Sequence, residues 1–107
     1  MDKVNVFLLS DSEKVLDTEG AKGLLLNKVN GIETVELSVD PDYLVPEHAL
    51  PFDVVFYVVD GEGELTVEDK VNILSAGDSV RVTANALRIW KNSSKKSLKL
   101  LVMKHMG

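Results

Sequence analysis

The chain has no cysteine, which excludes a disulfide framework, a thiolate nucleophile and a cysteine-bound zinc. It has no surplus of positive charge either: 12 basic residues against 17 acidic ones leave a formal net charge of -5, which repels a phosphate backbone. Lys91, Lys95, Lys96 and Lys99 are interrupted by Asn92, Ser93 and Ser94, so they read as a solvated turn between strands and not as a nucleic-acid patch. Apolar runs last only a few residues, far short of a bilayer span, and Met1-Asp2-Lys3-Val4-Asn5-Val6 lacks a basic flank followed by a long apolar run. Cytoplasm is the default expectation. Low-complexity tracts are absent, and no segment sustains a helical period; the nearest, Asp11 to Leu16, is too short to be a stable helix alone.

What is present reads as one all-β domain covering residues 1–107. Turn-forming residues recur at short intervals, among them Thr18-Glu19-Gly20, Asn30-Gly31, Asp60-Gly61, Ala76-Gly77-Asp78 and Asn92-Ser93-Ser94. Asn30-Gly31 is the sharpest, because a type I′ turn needs two positive φ angles and this pair supplies them cheaply. It predicts a hairpin of Leu24 to Val29 with Ile32 to Val39. Farther on, Leu65 and Val67, Val71 and Ile73, Val80 and Val82, and Leu98, Leu100 and Val102 alternate with mostly polar neighbours, as in strands with one buried face. The turns at Asp60-Gly61 and Gly77-Asp78, separated by two such segments, predict antiparallel strands of one sheet. Many short strands and almost no helix imply a sandwich or barrel.

Two spaced patterns within this framework resemble those of a cupin. Taking Phe56-Tyr57-Val58 and Gly61 as anchors for G-x5-H-x-H-x3,4-E-x6-G puts Asp42 at the leading glycine, His48 at the first histidine, Leu50 at the second, Val54 at the glutamate and Gly61 at the closing glycine. In the second pattern, G-x5-P-x-G-x2-H-x3-N, Gly77 matches, Thr83 replaces the proline, Asn85 the glycine and Arg88 the histidine, and Asn92 matches the asparagine. The resemblance implies an antiparallel jelly-roll barrel. It also implies that of the four seats for metal ligands only His48 is filled by one. Leucine and valine have no lone pair to offer, and Arg88 brings a permanent positive charge, so no metal cofactor is expected, with a divalent cation as the alternative.

By strand alternation Val54, Phe56 and Val58 share one face and Arg88, Trp90 and Asn92 share another, and the resemblance turns both faces toward the barrel interior. The candidate ligand-binding residues are therefore Arg88, Trp90, Asn92, His48, Phe56 and Val54, with His48 also the candidate base. Arg88 beside apolar side chains calls for a carboxylate neighbour such as Glu47 or Asp53, or for an anionic ligand. Nothing resembling a G-x-S-x-G nucleophile elbow occurs, Gly61-Glu62-Gly63 lacks the rest of a phosphate loop and reads as a hairpin turn, and His105 reads as surface. The expected function is a metal-free module that binds a small molecule, anionic or sugar-like. The alternatives are a cupin-type enzyme, either a metal-dependent dioxygenase or isomerase or a metal-independent isomerase or epimerase, and a structural dimerisation domain. The expected partners are a small-molecule ligand and a second copy in a homodimer, with no nucleic acid and no membrane.

Overall fold

The computed structural model describes residues 3–46 and 48–107. Among them, nine strands form two antiparallel sheets, and the only helical piece is one 3-10 turn at Leu9–Asp11. The strands are β1 (Glu13–Asp17), β2 (Ala21–Val29), β3 (Ile32–Val39), β4 (Val54–Asp60), β5 (Glu62–Val67), β6 (Lys70–Ser75), β7 (Ser79–Val82), β8 (Arg88–Lys91) and β9 (Leu98–His105). The larger sheet runs in the order β1-β2-β3-β9-β4-β7 and the smaller in the order β6-β5-β8. Together they make an all-β jelly roll of two sheets. No helix among the described residues is long and apolar enough to cross a membrane.

The predicted hairpin is present: β2 pairs with β3 from Val29↔Ile32 onward, and Asn30 and Gly31 take φ angles of 51° and 78°. The segment Asp11 to Leu16 is not helical but passes from the 3-10 turn into strand β1. The two glycine turns behave differently from expectation. Asp60-Gly61 carries the chain from β4 in one sheet to β5 in the other, and Gly77-Asp78 carries it back from β6 to β7. These corners lie side by side, since Gly77 N–H donates to Val58 C=O at 2.8 Å and Val58 N–H donates to Asp78 C=O at 2.9 Å. Gly61 has φ 92°, and a Cβ there would lie 2.7 Å from the Ser97 carbonyl oxygen, so both conformation and space demand glycine.

The hairpin within the smaller sheet turns at Glu68-Asp69, with Glu68 at φ 54°. This pairing sets Leu65 opposite Asn72 and Gly63 opposite Leu74, so β6 turns Asn72 and Leu74 inward and leaves Val71 and Ile73 exposed. That is the reverse of the face expected from their apolar character. A strand's side-chain period is two, so register alone decides which set is buried.

Between the sheets lies a core built on Val39, Val54, Val58, Leu65, Val82, Leu98 and Leu100, all essentially inaccessible to solvent. Burying each such side chain contributes roughly 1.5–3 kcal/mol. Beyond β8, residues 42–46 and His48 pair along the edge of the smaller sheet. Asp42 N–H donates to Asn92 C=O at 2.7 Å and Val45 N–H to Trp90 C=O at 2.9 Å, while His48 and Arg88 exchange reciprocal backbone bonds of 3.1 Å each. That last pair brings two motif residues onto one face.

Candidate functional site

The register assigned to the cupin patterns makes a backbone prediction, because a glycine position in such a motif is often one that needs a positive φ. Asp42 and Asn85, which stand at two of those glycine positions, have φ angles of 62° and 69°, and Gly61 and Gly77, at two others, have 92° and 95°. Aspartate and asparagine are among the few residues that tolerate this region. The backbone therefore takes the positive-φ shape at all four of these positions.

A cavity of about 210 Å³ opens against the larger sheet at the His48–Arg88 pair. Its walls are largely apolar, with Leu16 from β1, Val35 and Leu37 from β3, Phe56 from β4 and Val102 from β9. The polar side chains lining it are His48, Arg88, Trp90 and Lys104. No aspartate or glutamate lines it among the described residues, so a chain of net charge -5 presents two fixed positive charges to this one space.

Arg88 is 5% exposed and Trp90 3%, and they stand two residues apart on β8, so they share its inward face. Phe56 holds both. Its ring meets the Trp90 indole edge-on at 5.5 Å and 70°, and the Arg88 guanidinium carbon lies 5.5 Å from its centroid, a cation–π contact that offsets part of the cost of burying the charge. Arg88 Nη1 and Trp90 Nε1 are buried and have no hydrogen-bond acceptor among the described residues. Asp53 does not serve Arg88: it lies 3.9 Å from Arg81 on the surface and caps the Ala84 N–H at 2.9 Å. Glu47, the other acid considered, lies outside the described residues.

His48 stands exposed at the cavity mouth, and its pKa is lowered from 6.5, first by desolvation and then by the positive charges of Arg88 and Lys104. It is therefore neutral at pH 7, with one ring nitrogen able to donate and the other to accept. Burial likewise lowers the Arg88 pKa from the ordinary arginine value. An arginine remains charged regardless.

Of the six residues expected to bind ligand, His48, Phe56, Arg88 and Trp90 come together around the cavity, and Val54 and Asn92 do not. Val54 is fully buried on β4 between Val82 and Lys104. Asn92 is also fully buried, but at the far end of the sandwich, where Nδ2 donates to Val39 C=O at 3.0 Å and Lys96 C=O at 2.7 Å, and Oδ1 accepts from Ser94 N–H at 3.1 Å and Ser94 O–H at 2.8 Å. Its polar atoms are committed to fixing the loop from β8 to β9. Sequence reasoning missed Lys104. The signal was legible: β9 buries Leu98, Leu100 and Val102, and the next residue of that parity is a lysine.

A divalent metal does not fit this donor set. At the four ligand seats His48 offers one imidazole nitrogen, Leu50 and Val54 offer nothing, and Arg88 offers positive charge, with Lys104 adding more at the same cavity. Among the described residues no three histidine, cysteine, aspartate or glutamate side chains cluster as a metal site would require.

Topology, corners and cavity together define a small jelly roll with a pocket on the inner face of its larger sheet. The chain belongs to the cupin family, whose domain model matches residues 35–104. No curated protein matches it. Among solved structures it is similar to an RmlC-like cupin from Shewanella frigidimarina NCIMB 400, with 22% identity over 100% of this chain and 96% of that one and a TM-score of 0.83. It is also similar to KdgF from Halomonas sp., with 17% identity over 96% and 94% of the two chains and a TM-score of 0.81. A third is the polyketide cyclase RemF from Streptomyces resistomycificus, with 14% identity over 100% and 80% and a TM-score of 0.79. At these identities the likeness is one of fold.

Proposed function

We propose that this cupin is a metal-free binding module for a small organic anion. The observation that carries the reading is the positive charge gathered at the cavity: Arg88 occupies one seat of a metal ligand, Lys104 lines the same cavity, and no described acid there balances them. An anion supplies the missing negative charge and relieves the cost of a buried guanidinium. The cavity is roughly the liquid volume of seven waters at ~30 Å³ each, which suits a small metabolite and no polymer.

A thermal-shift screen with organic acids, sugars and nucleotides tests this, because a ligand that binds only the folded chain must raise its stability by mass action. Stabilisation by acids that disappears in Arg88→Met supports the proposal. No stabilisation by any compound removes it.

A second copy is the protein partner this reading includes. Val4, Val6, Phe7, Leu8 and Leu9 are all exposed in one stretch, a run of apolar surface that self-association would cover. Light scattering at micromolar concentration is expected to give a dimer mass, and a monomer mass rules this part out.

A further inference from the structure

The walls of the cavity and its two unserved donors narrow the ligand class. We infer that the pocket takes a compact monocarboxylate with an apolar body, the carboxylate being read jointly by Arg88 Nη1 and Trp90 Nε1, which rests on the anion-binding proposal above. Three observations lead there independently of any relative.

Donors come first. Both are buried N–H groups, on side chains at least nine-tenths buried, that project from one face of one strand and lack an acceptor among the described residues. A buried donor left unpaired costs about 1–3 kcal/mol, and two from one strand face at one cavity call for acceptors within that cavity. A carboxylate has two acceptor oxygens on one carbon, one for each of these buried donors.

The walls come next. Sugar hydroxyls each need a partner, and the surfaces offered by Leu16, Val35, Leu37, Phe56 and Val102 have none. An aryl or branched aliphatic group buries well against the same side chains. Preorganisation is the third: Phe56 backs both the guanidinium and the indole, so the two donors are held in place before a ligand arrives.

Trp90 is the only tryptophan in the chain, so its indole N–H is a single, assignable proton resonance. The full-length protein, isotopically labelled, is titrated with benzoate, 4-methylpentanoate, benzamide, glucuronate and inorganic phosphate while that resonance is followed. The expected result is binding of both apolar acids with a downfield shift of the indole proton, and no binding of benzamide, which keeps the shape but not the charge. Arg88→Met is expected to weaken benzoate at least about tenfold, and Trp90→Phe, which keeps a ring and removes the donor, roughly three- to tenfold. The remaining amide resonances report whether each variant is folded; if Arg88→Met is not, Arg88→Lys, which keeps the charge and loses the fork, stands in with the same expected direction.

Glucuronate or phosphate binding more tightly than benzoate overturns the apolar-monocarboxylate class and leaves the anion module standing. Benzoate binding without movement of the indole proton overturns the joint reading by Trp90. Binding by none of the five overturns the inference, and the anion module falls with it only if the wider thermal-shift screen is also blank.

Discussion

The two ends of the sandwich handle buried polarity in opposite ways. At one end Asn92 is fully buried and its amide makes two donated and two accepted hydrogen bonds, three within the loop that joins β8 to β9 and one to Val39 C=O at the end of β3. At the other end, on the same strand face, Arg88 and Trp90 are almost as deeply buried and keep donors with no acceptor among the described residues. A satisfied buried polar group rigidifies a fold, while an unsatisfied one costs stability, a cost that the proposed ligand would remove. The contrast separates scaffold from site within five residues of one another.

Mutations should divide along the same line. Asn92→Ala removes partners from Val39 C=O, Lys96 C=O and Ser94, and is expected to cost about 3 kcal/mol in denaturant unfolding with anion affinity unchanged in the folded fraction. Gly63→Ala tests the packing between the two ends, since a Cβ there would lie 2.7 Å from Leu98 Cδ2 and 3.0 Å from Trp90 Cζ3. It is expected to cost about 2 kcal/mol by overpacking, read from the same unfolding curves. Arg88→Met should behave in the reverse sense. Replacing a buried charge that no described acid compensates by an apolar side chain of similar length is expected to leave stability equal or raise it by about 1 kcal/mol while anion binding is lost. If Arg88→Met instead destabilises as much as Asn92→Ala does, the two ends are not different in kind.

Smaller effects sharpen the electrostatics of the cavity. Lys104→Met is expected to weaken anion binding roughly threefold and to raise the His48 pKa toward 6.5, as followed by imidazole proton shifts, because one of the charges depressing it is gone. The lowered His48 pKa also sets a pH dependence. Below 6.5 the unfolded chain takes up the proton more readily than the folded one, so His48 costs stability progressively as pH falls from 6.5 through its lowered folded value, and nothing above that window. His48→Gln should remove that acid-side decline from the melting profile. A bound carboxylate should raise the His48 pKa and shrink the decline.

Much of the fold was legible in the sequence where local chemistry and global pairing agree. Asn30-Gly31 specifies its hairpin because no other arrangement uses two positive φ angles so cheaply, and the parity of Leu98, Leu100 and Val102 marks the buried face of β9. The corners at Gly61 and Gly77 read in sequence as links within one sheet, since a glycine turn has the same local signature whether it reverses a strand or moves the chain to the facing sheet. Strand β6 was given the wrong face because Val71 and Ile73 are the apolar members, yet pairing with β5 buries Asn72 and Leu74. For the site, parity placed Phe56, Arg88 and Trp90 correctly on inward faces but carries no position along the sandwich. Val54 and Asn92 have the right parity and the wrong height, and Lys104 needed the observation that β9 continues inward past Val102.

The central claim is that a cationic side chain, Arg88, stands at one seat where the family's motif would place a metal ligand and that Lys104 joins it at the cavity, so that the pocket takes an anion. Native mass spectrometry of untagged protein, purified without chelator, tests it most directly. The account predicts a chain mass free of stoichiometric metal that gains one small acid when benzoate is added and fails to do so in Arg88→Met; one transition-metal ion per chain, held through the same desalting, would contradict it.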